Sequence, residues 1–250
     1  METDFSYYIK LLKDIQGDAS PSTLKYISQR FNRVAGIIKR RVYLLSNNKV
    51  IEELCKTREK IFAMRYLATA SIKIGGIILF FLTFLGVVIL YFSQSPGLLS
   101  LIIKPPDIFH YIVDKIVLTI IAMYIILGGS FNLLKYIIGL IFGIKFDGFY
   151  LGDYGQICLK KNCLRYYKAG KKRVYFYLCS ALLPFLILGF TCLWLCIDVG
   201  NYWGIATLVI HTIMTILLYR KKKGELYRFV REIRVLKEQK YLSQILKLRQ

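Results

Sequence analysis

Four stretches of this chain are apolar almost without a break, at about residues 74–92, 116–144, 174–197 and 202–219. A bilayer core of about 30 Å takes roughly 20 residues of helix, and only a helix or a closed barrel satisfies its own backbone hydrogen bonds in hydrocarbon. The pattern therefore predicts an all-α polytopic membrane protein with four transmembrane helices. The flanking segments have a different rhythm. Leu24, Ile27, Phe31, Val34, Ile38 and, past the interruption at Arg41, Leu45 follow spacings of three and four, and Ile51, Leu54, Ile61 and Phe62 form a second stripe. Residues 1–72 thus read as a helical hairpin whose second arm runs on into the first span. Ser20-Pro21 supplies the N-cap and first helical position of the longer arm, after a short helix stopped by Gly17. The tail, 220–250, carries Leu226, Phe229, Val230, Ile233, Leu236, Tyr241 and Ile245 on one face and basic residues on the other. Residues 145–173, punctuated by Gly148, Gly152, Gly155 and Gly170, read as a small β-containing loop, with Lys160-Lys161-Asn162 as a turn.

Charge orients this frame. The chain has 36 Lys and Arg against 15 Asp and Glu, a formal net charge of +21 over 250 residues. Fourteen of the basic residues precede the first span, eight lie between the second and third, and 11 follow the fourth, whereas the other two connections hold Lys104 and, at a span edge, Lys115. Cytoplasmic loops retain Lys and Arg near span ends, so both termini are expected in the cytoplasm, with the amphipathic helices and the 145–173 loop beside them. Tyr91, Phe92, Phe109, Tyr111, Trp194, Tyr202 and Trp203 are expected in the outer interfacial belt, and Tyr175, Tyr177 and Tyr219 in the inner one. The expected partner is a bilayer with anionic headgroups, met by Lys160, Lys161, Arg165, Lys168, Lys171, Lys172, Arg173, Arg220, Lys221, Lys222 and Lys223. Those residues could equally meet other membrane subunits or a second copy. Nucleic acid or the ribosome is disfavoured, because only Tyr166-Tyr167 interleaves aromatics with charge.

Groups that could carry chemistry are few. The chain has two histidines, and its six cysteines are scattered without zinc-site spacing, so no metal or cofactor is expected. Cys192 and Cys196, at i and i+4, read as packing, and a Cys158–Cys163 disulfide is not expected in the cytoplasm. The second span is the exception to this plainness, since it holds Gly128, Gly129, Asn132 and Lys135. A membrane-embedded lysine costs about 2.5–3.5 kcal/mol unless it finds water or a partner. No Asp or Glu lies inside any span to answer it; a bend at the glycines would let it snorkel, and otherwise it marks a substrate or pore site.

The segment Gly139-Leu140-Ile141-Phe142-Gly143-Ile144-Lys145-Phe146-Asp147-Gly148-Phe149, with Arg173 and Cys179-Ser180-Ala181-Leu182-Leu183-Pro184 opening the next span, resembles site-2-protease-like intramembrane zinc metallopeptidases over residues 113–198. The resemblance implies that the family's two histidine ligands and glutamate base would fall at Phe131, Lys135 and Asn132, none of which has the required chemistry. It thus implies an inherited fold without hydrolysis. The function expected is a non-enzymatic subunit or scaffold of a membrane assembly. Two alternatives stand beside it: a transport or insertion component using Lys135 and Asn132, and a lipid-headgroup enzyme using Asp147 and Asp153.

Overall fold

The computed structural model describes residues 2–66, 69–94, 108–152, 157–198 and 202–248. It forms two compact units, each assembled from separate parts of the chain. The first takes residues up to Ala70, then Gly139–Phe176, then Phe229 onward; the second takes Ser71–Ile138 and Tyr177–Arg228.

In the first unit, α1 (Glu2–Gly17), α2 (Leu24–Arg40), α3 (Val42–Ser46) and α4 (Asn48–Arg65) are joined by β1 (Thr69–Ala70), β2 (Phe146–Leu151), β3 (Ile157–Lys161) and the short α7 (Cys163–Lys168). Their apolar stripes meet in one core. Leu12 and Ile15 of α1, Ile27, Phe31, Val34 and Ile38 of α2, Val50, Ile51 and Leu54 of α4, and Cys163 and Tyr167 of α7 are all buried there. The short N-terminal helix is therefore a full member of the bundle. Its fit is polar as well: Gln16 Nε2 donates to Thr57 Oγ1 at 2.8 Å. Asn47 caps α4 by accepting from the Val50 amide, and Asn162 caps α7 by accepting from the Arg165 amide.

Several local expectations are corrected. The arm α4 does not continue into the first span; it ends at Arg65, Tyr66 turns extended, and Thr69–Ala70 adds an edge strand to β2 with Thr69 opposite Tyr150. Lys160 and Lys161 are in strand β3 rather than a turn, Phe149 pairing with Leu159 in the antiparallel β2–β3 ladder. Helix α2 starts at Leu24, and Pro21 sits in the preceding turn, where Ser20 and Thr23 bond each other. Asp153 and Gly155 lie outside the described residues.

The second unit holds the four spans, α5 (Ile72–Gln94), α6 (Ile108–Ile141), α8 (Lys172–Asp198) and α9 (Trp203–Arg220), of which α6 qualifies as a span over Lys115–Ile141. The protein is an integral, multi-pass membrane protein. The final helix, α10 (Gly224–Leu248), follows. Between helices in lipid there is no hydrophobic drive to associate, so close backbone approach through small residues decides which helices touch. Gly86 of α5 lies against α6, where a Cβ would stand 2.8 Å from the Ile126 amide nitrogen; Gly129 of α6 returns the contact, where a Cβ would stand 2.7 Å from the Leu79 carbonyl oxygen. Gly128-Gly129 therefore marks a helix crossing, and α6 is helical straight through it. Gly204 of α9 approaches Cys192 of α8 in the same way. Of the belt aromatics, Tyr177 is buried instead of interfacial, while Tyr91, Trp194, Tyr202, Trp203 and Tyr175 are exposed. The side chains of Phe109 and Tyr111, and Lys104, are outside the described residues.

Candidate functional site

Two carboxylates of α10, seven residues apart, each meet a buried lysine, one in each unit.

In the first unit the carboxylate is Glu232, which is 1% exposed. Lys39, from the last turn of α2, pairs with its Oε1, and the Tyr166 hydroxyl of α7 donates to the same oxygen at 3.0 Å. Lys39 Nζ also reaches Tyr166 Oη at 3.1 Å. Arg173, at the start of α8, places Nε 3.7 Å from Glu232 Oε2 and donates from Nε to the Gly170 carbonyl at 3.1 Å. The Tyr166 ring is the hub of this arrangement, with Lys39, Lys161 and Arg173 at 5.2, 5.3 and 5.5 Å from its centre. Gln239, two turns beyond Glu232, donates to the Lys39 carbonyl at 2.6 Å and fixes α10 against the end of α2.

Two buried cations thus share one carboxylate, and the electrostatics reflect it. Burial pushes the Lys39 ammonium down to about 8; Glu232 opposes that shift and Arg173 adds to it. For Glu232, burial acts upward, but the charges of Lys39 and Arg173 and the hydrogen bonds from Lys39 and Tyr166 outweigh it and hold the carboxyl below its ordinary range. Burial raises the phenol of Tyr167, against the pull of Arg58 and Arg173. Arg173 Nη1 is buried without a hydrogen-bond partner among the described residues.

In the second unit Lys135 of α6 meets Glu225, in the first turn of α10, at 2.6 Å. The sequence offers no acidic residue within a span; the answering charge comes instead from just after the fourth one. Glu225 also accepts from Arg228 at 2.7 Å, and Lys135 Nζ lies 5.1 Å from the Phe131 ring centre. Asn132 is buried on the same helix. Lys135 therefore does not stand alone. Ser180 lies buried in α8, four residues before Pro184, whose missing amide leaves the Ser180 carbonyl without its helical donor.

The remaining predicted contact residues separate into three groups. Arg165, Lys168, Lys171, Lys172 and Arg220 to Lys223 are exposed. Lys160 and Lys161 are half-buried, Lys160 pairing with Glu59 at 2.6 Å. Arg173 is corrected outright: at 1% exposure it is an internal ion-pair partner and no surface contact. On α10 the predicted apolar residues Leu226, Phe229, Val230, Ile233 and Leu236 are half-buried and the basic residues Arg228, Arg231, Arg234, Lys237 and Lys240 exposed, but the deepest positions are Glu232 and Val235, and Tyr241 is 65% exposed. Asp147, half of the proposed enzyme site, is exposed and accepts from Asn162 Nδ2 at 2.9 Å.

Cysteine chemistry differs from expectation. Cys163 is joined to Cys55, 108 residues away in sequence, with a Cα–Cα distance of 5.5 Å, and Cys158 is free. Among the described residues no group of three or more His, Cys, Asp or Glu side chains gathers as a metal site would require. Comparison of the chain with protein-family models, with curated proteins and with solved structures finds no match.

Proposed function

We propose that this chain is a non-enzymatic subunit of a membrane assembly and that its fourth span, α9, is the face offered to a partner helix. The observation that carries this reading is the one-sided packing of α9. Its contacts with the other spans of the second unit run through Gly204, Leu208 and His211, in its first half, while Tyr219 near its end meets the Tyr227 ring of α10 at 6.4 Å. Beyond His211 no residue of the helix is buried, and Ile213, Met214, Ile216 and Leu217 are exposed. A span gains little from its neighbours in lipid unless side chains interlock, so the second half of α9 is available to a helix of another protein. Both termini and the basic 145–173 loop face the cytoplasm in this reading. There Arg165, Lys168, Lys171, Lys172 and Arg220 to Lys223 meet anionic headgroups at roughly 1 kcal/mol each near the surface.

The ion pairs of Lys39 and Lys135 favour a structural over a transport role. Lys135 already has Glu225 and needs no transported anion to balance its charge. The test is cross-linking from Ile213→Cys and Leu217→Cys in native membranes with a short bis-maleimide. A single adduct of defined mass is expected, twice the chain mass identifying a second copy and any other mass a different subunit. Chains that remain uncross-linked at both positions contradict the reading.

A site-2-protease-like ancestry is a further proposal, supported by the way α6 ends. Gly143 has φ +73°, the left-handed turn that a side chain disfavours, and the chain passes directly into β2. Restoring the ligands by Phe131→His, Asn132→Glu and Lys135→His should then confer zinc uptake near one equivalent, and no uptake would remove the idea.

A further inference from the structure

Helix α7 has six residues, too few to persist without tertiary ties, yet it supplies the hub of the Glu232 cluster. Its first residue, Cys163, is bonded to Cys55 of α4, and Tyr166 follows at i+3, one turn later. The Tyr166 hydroxyl donates to Glu232 at 3.0 Å. Lys39, the lysine paired with that carboxylate, also holds α10 through its own carbonyl, which accepts from Gln239 at 2.6 Å. One turn of helix thus separates the disulfide from the groups that dock α10, and all of them belong to the first unit.

The two sulfurs differ in access. Cys163 is buried at 4% exposure in the core that also takes Tyr167, whereas Cys55 is half-buried against that core. A small thiolate therefore reaches the Cys55 sulfur more readily. Its attack forms a mixed disulfide, breaks the bond to Cys163 and releases that sulfur as a thiolate, which is protonated. A second small thiol then attacks the small-molecule sulfur of the mixed disulfide and frees Cys55. Two small thiols become one small disulfide, and their two protons end on Cys55 and Cys163. A small disulfide such as oxidised glutathione drives the reverse. With the bond open, the polar ties from α4 still reach β3: Arg58 Nη1 donates to the Lys161 carbonyl at 3.0 Å, and Glu59 pairs with Lys160 at 2.6 Å. Helix α7 then rests on α4 through apolar packing, with Leu164 and Tyr167 in the shared core.

We propose that Cys55 and Cys163 form a reversible thiol–disulfide switch that sets how firmly α10 docks on the first unit, transmitted through the Tyr166 hydroxyl to Glu232. Which thiol pool sets the switch rests on the cytoplasmic placement given above, where glutathione keeps cysteines reduced; the coupling between bond and helix does not.

The experiment uses the purified full chain in mild detergent, equilibrated with excess reduced or oxidised glutathione, with thiol state read by mass after maleimide blocking. Its outcome is therefore independent of the side of the membrane on which the unit lies. Hydrogen exchange of the peptides covering Cys163–Lys168 and Arg231–Gln239 should be about tenfold faster in the reduced chain, a larger change than in α2, and should return on oxidation. C158S should respond like the parent. C55S/C163S should exchange at the reduced rate under both conditions; if that variant fails to fold, the reversible response of the parent decides alone. Y166F keeps the disulfide and loses the hydroxyl, so α7 should still respond while the response of α10 falls to less than about threefold. Equal exchange of Arg231–Gln239 in the two thiol states overturns the proposal. So does a bond that resists reduced glutathione in the folded chain, or an unaltered α10 response in Y166F.

Discussion

Replacing Glu232 with glutamine removes the anion shared by Lys39, Arg173 and the Tyr166 hydroxyl. The substitution keeps shape and volume, so what changes is charge. Lys39 and Arg173 would stay buried and face each other without compensation, the situation in which removal of one partner of a buried pair costs about 3–5 kcal/mol. Because α10 enters the first unit through Glu232, Val235 and Gln239, the loss should fall on the docking of that helix. Hydrogen exchange of the peptide covering Arg231 to Gln239, measured in detergent, should then accelerate on the order of 10²–10³-fold, because each 1.4 kcal/mol is a factor of ten. Spans α5 and α6, which lie in the other unit, should exchange as before. Adding Lys39→Met to Glu232→Gln removes one of the stranded cations and should recover about half of the loss. The reasoning fails if Glu232→Gln alone changes exchange less than about fivefold, or if the double variant is worse than the sum of the two single ones.

Further outcomes follow from the same physics. Glu225→Gln strands Lys135 in an apolar span at about 2.5–3.5 kcal/mol, whereas Lys135→Met leaves Glu225 with Arg228; detergent melting curves should show Glu225→Gln as the more damaging, and the reverse order would contradict the pairing. Lys39 has a folded pKa of about 8 against an ordinary 10.5, so the folded unit holds fewer protons than the unfolded chain between those values and stability rises with pH there. The rise amounts to about 3–4 kcal/mol at most; it should be absent from Lys39→Met and therefore appear in the parent-minus-Lys39→Met difference in urea titrations at pH 8 and 10. Glu232 has the opposite dependence: with its folded pKa lowered, its stabilisation is complete above the ordinary carboxylate range and is lost as pH falls through the folded value, so the exchange advantage of the parent over Glu232→Gln should shrink on acidification. Reducing Cys55–Cys163 frees a loop spanning 108 residues of separation and should lower the stability of the first unit by up to about 4–5 kcal/mol, read as a shift in urea midpoint with dithiothreitol; Cys158→Ser, which touches no disulfide, should leave the midpoint in place.

Hydropathy alone located the four spans to within two or three residues, because a run of some 20 apolar residues admits few other structures. The helix that carries the second begins earlier, at Ile108, since a helix need not stop where hydrocarbon does. Periodicity likewise marked the buried faces of α2 and α4. On α10 it missed the deepest position for a definite reason. The helix is anchored by a carboxylate, and any hydrophobicity reading assigns glutamate to solvent, so the Glu232–Val235–Gln239 line was invisible. Partners distant in sequence were equally hidden: Lys39 meets Glu232 across 193 residues and Lys135 meets Glu225 across 90. Strand β1, two residues long, is too short to show any period.

The claim on which the rest stands is a four-span chain with its basic segments gathered on one side of the membrane. Alkylation of Lys168→Cys and Lys222→Cys by a membrane-impermeant maleimide, in sealed right-side-out and inverted vesicles and in a Cys158→Ser background, tests it directly. Both positions should react only in inverted vesicles; reaction of the two from opposite sides would contradict the account.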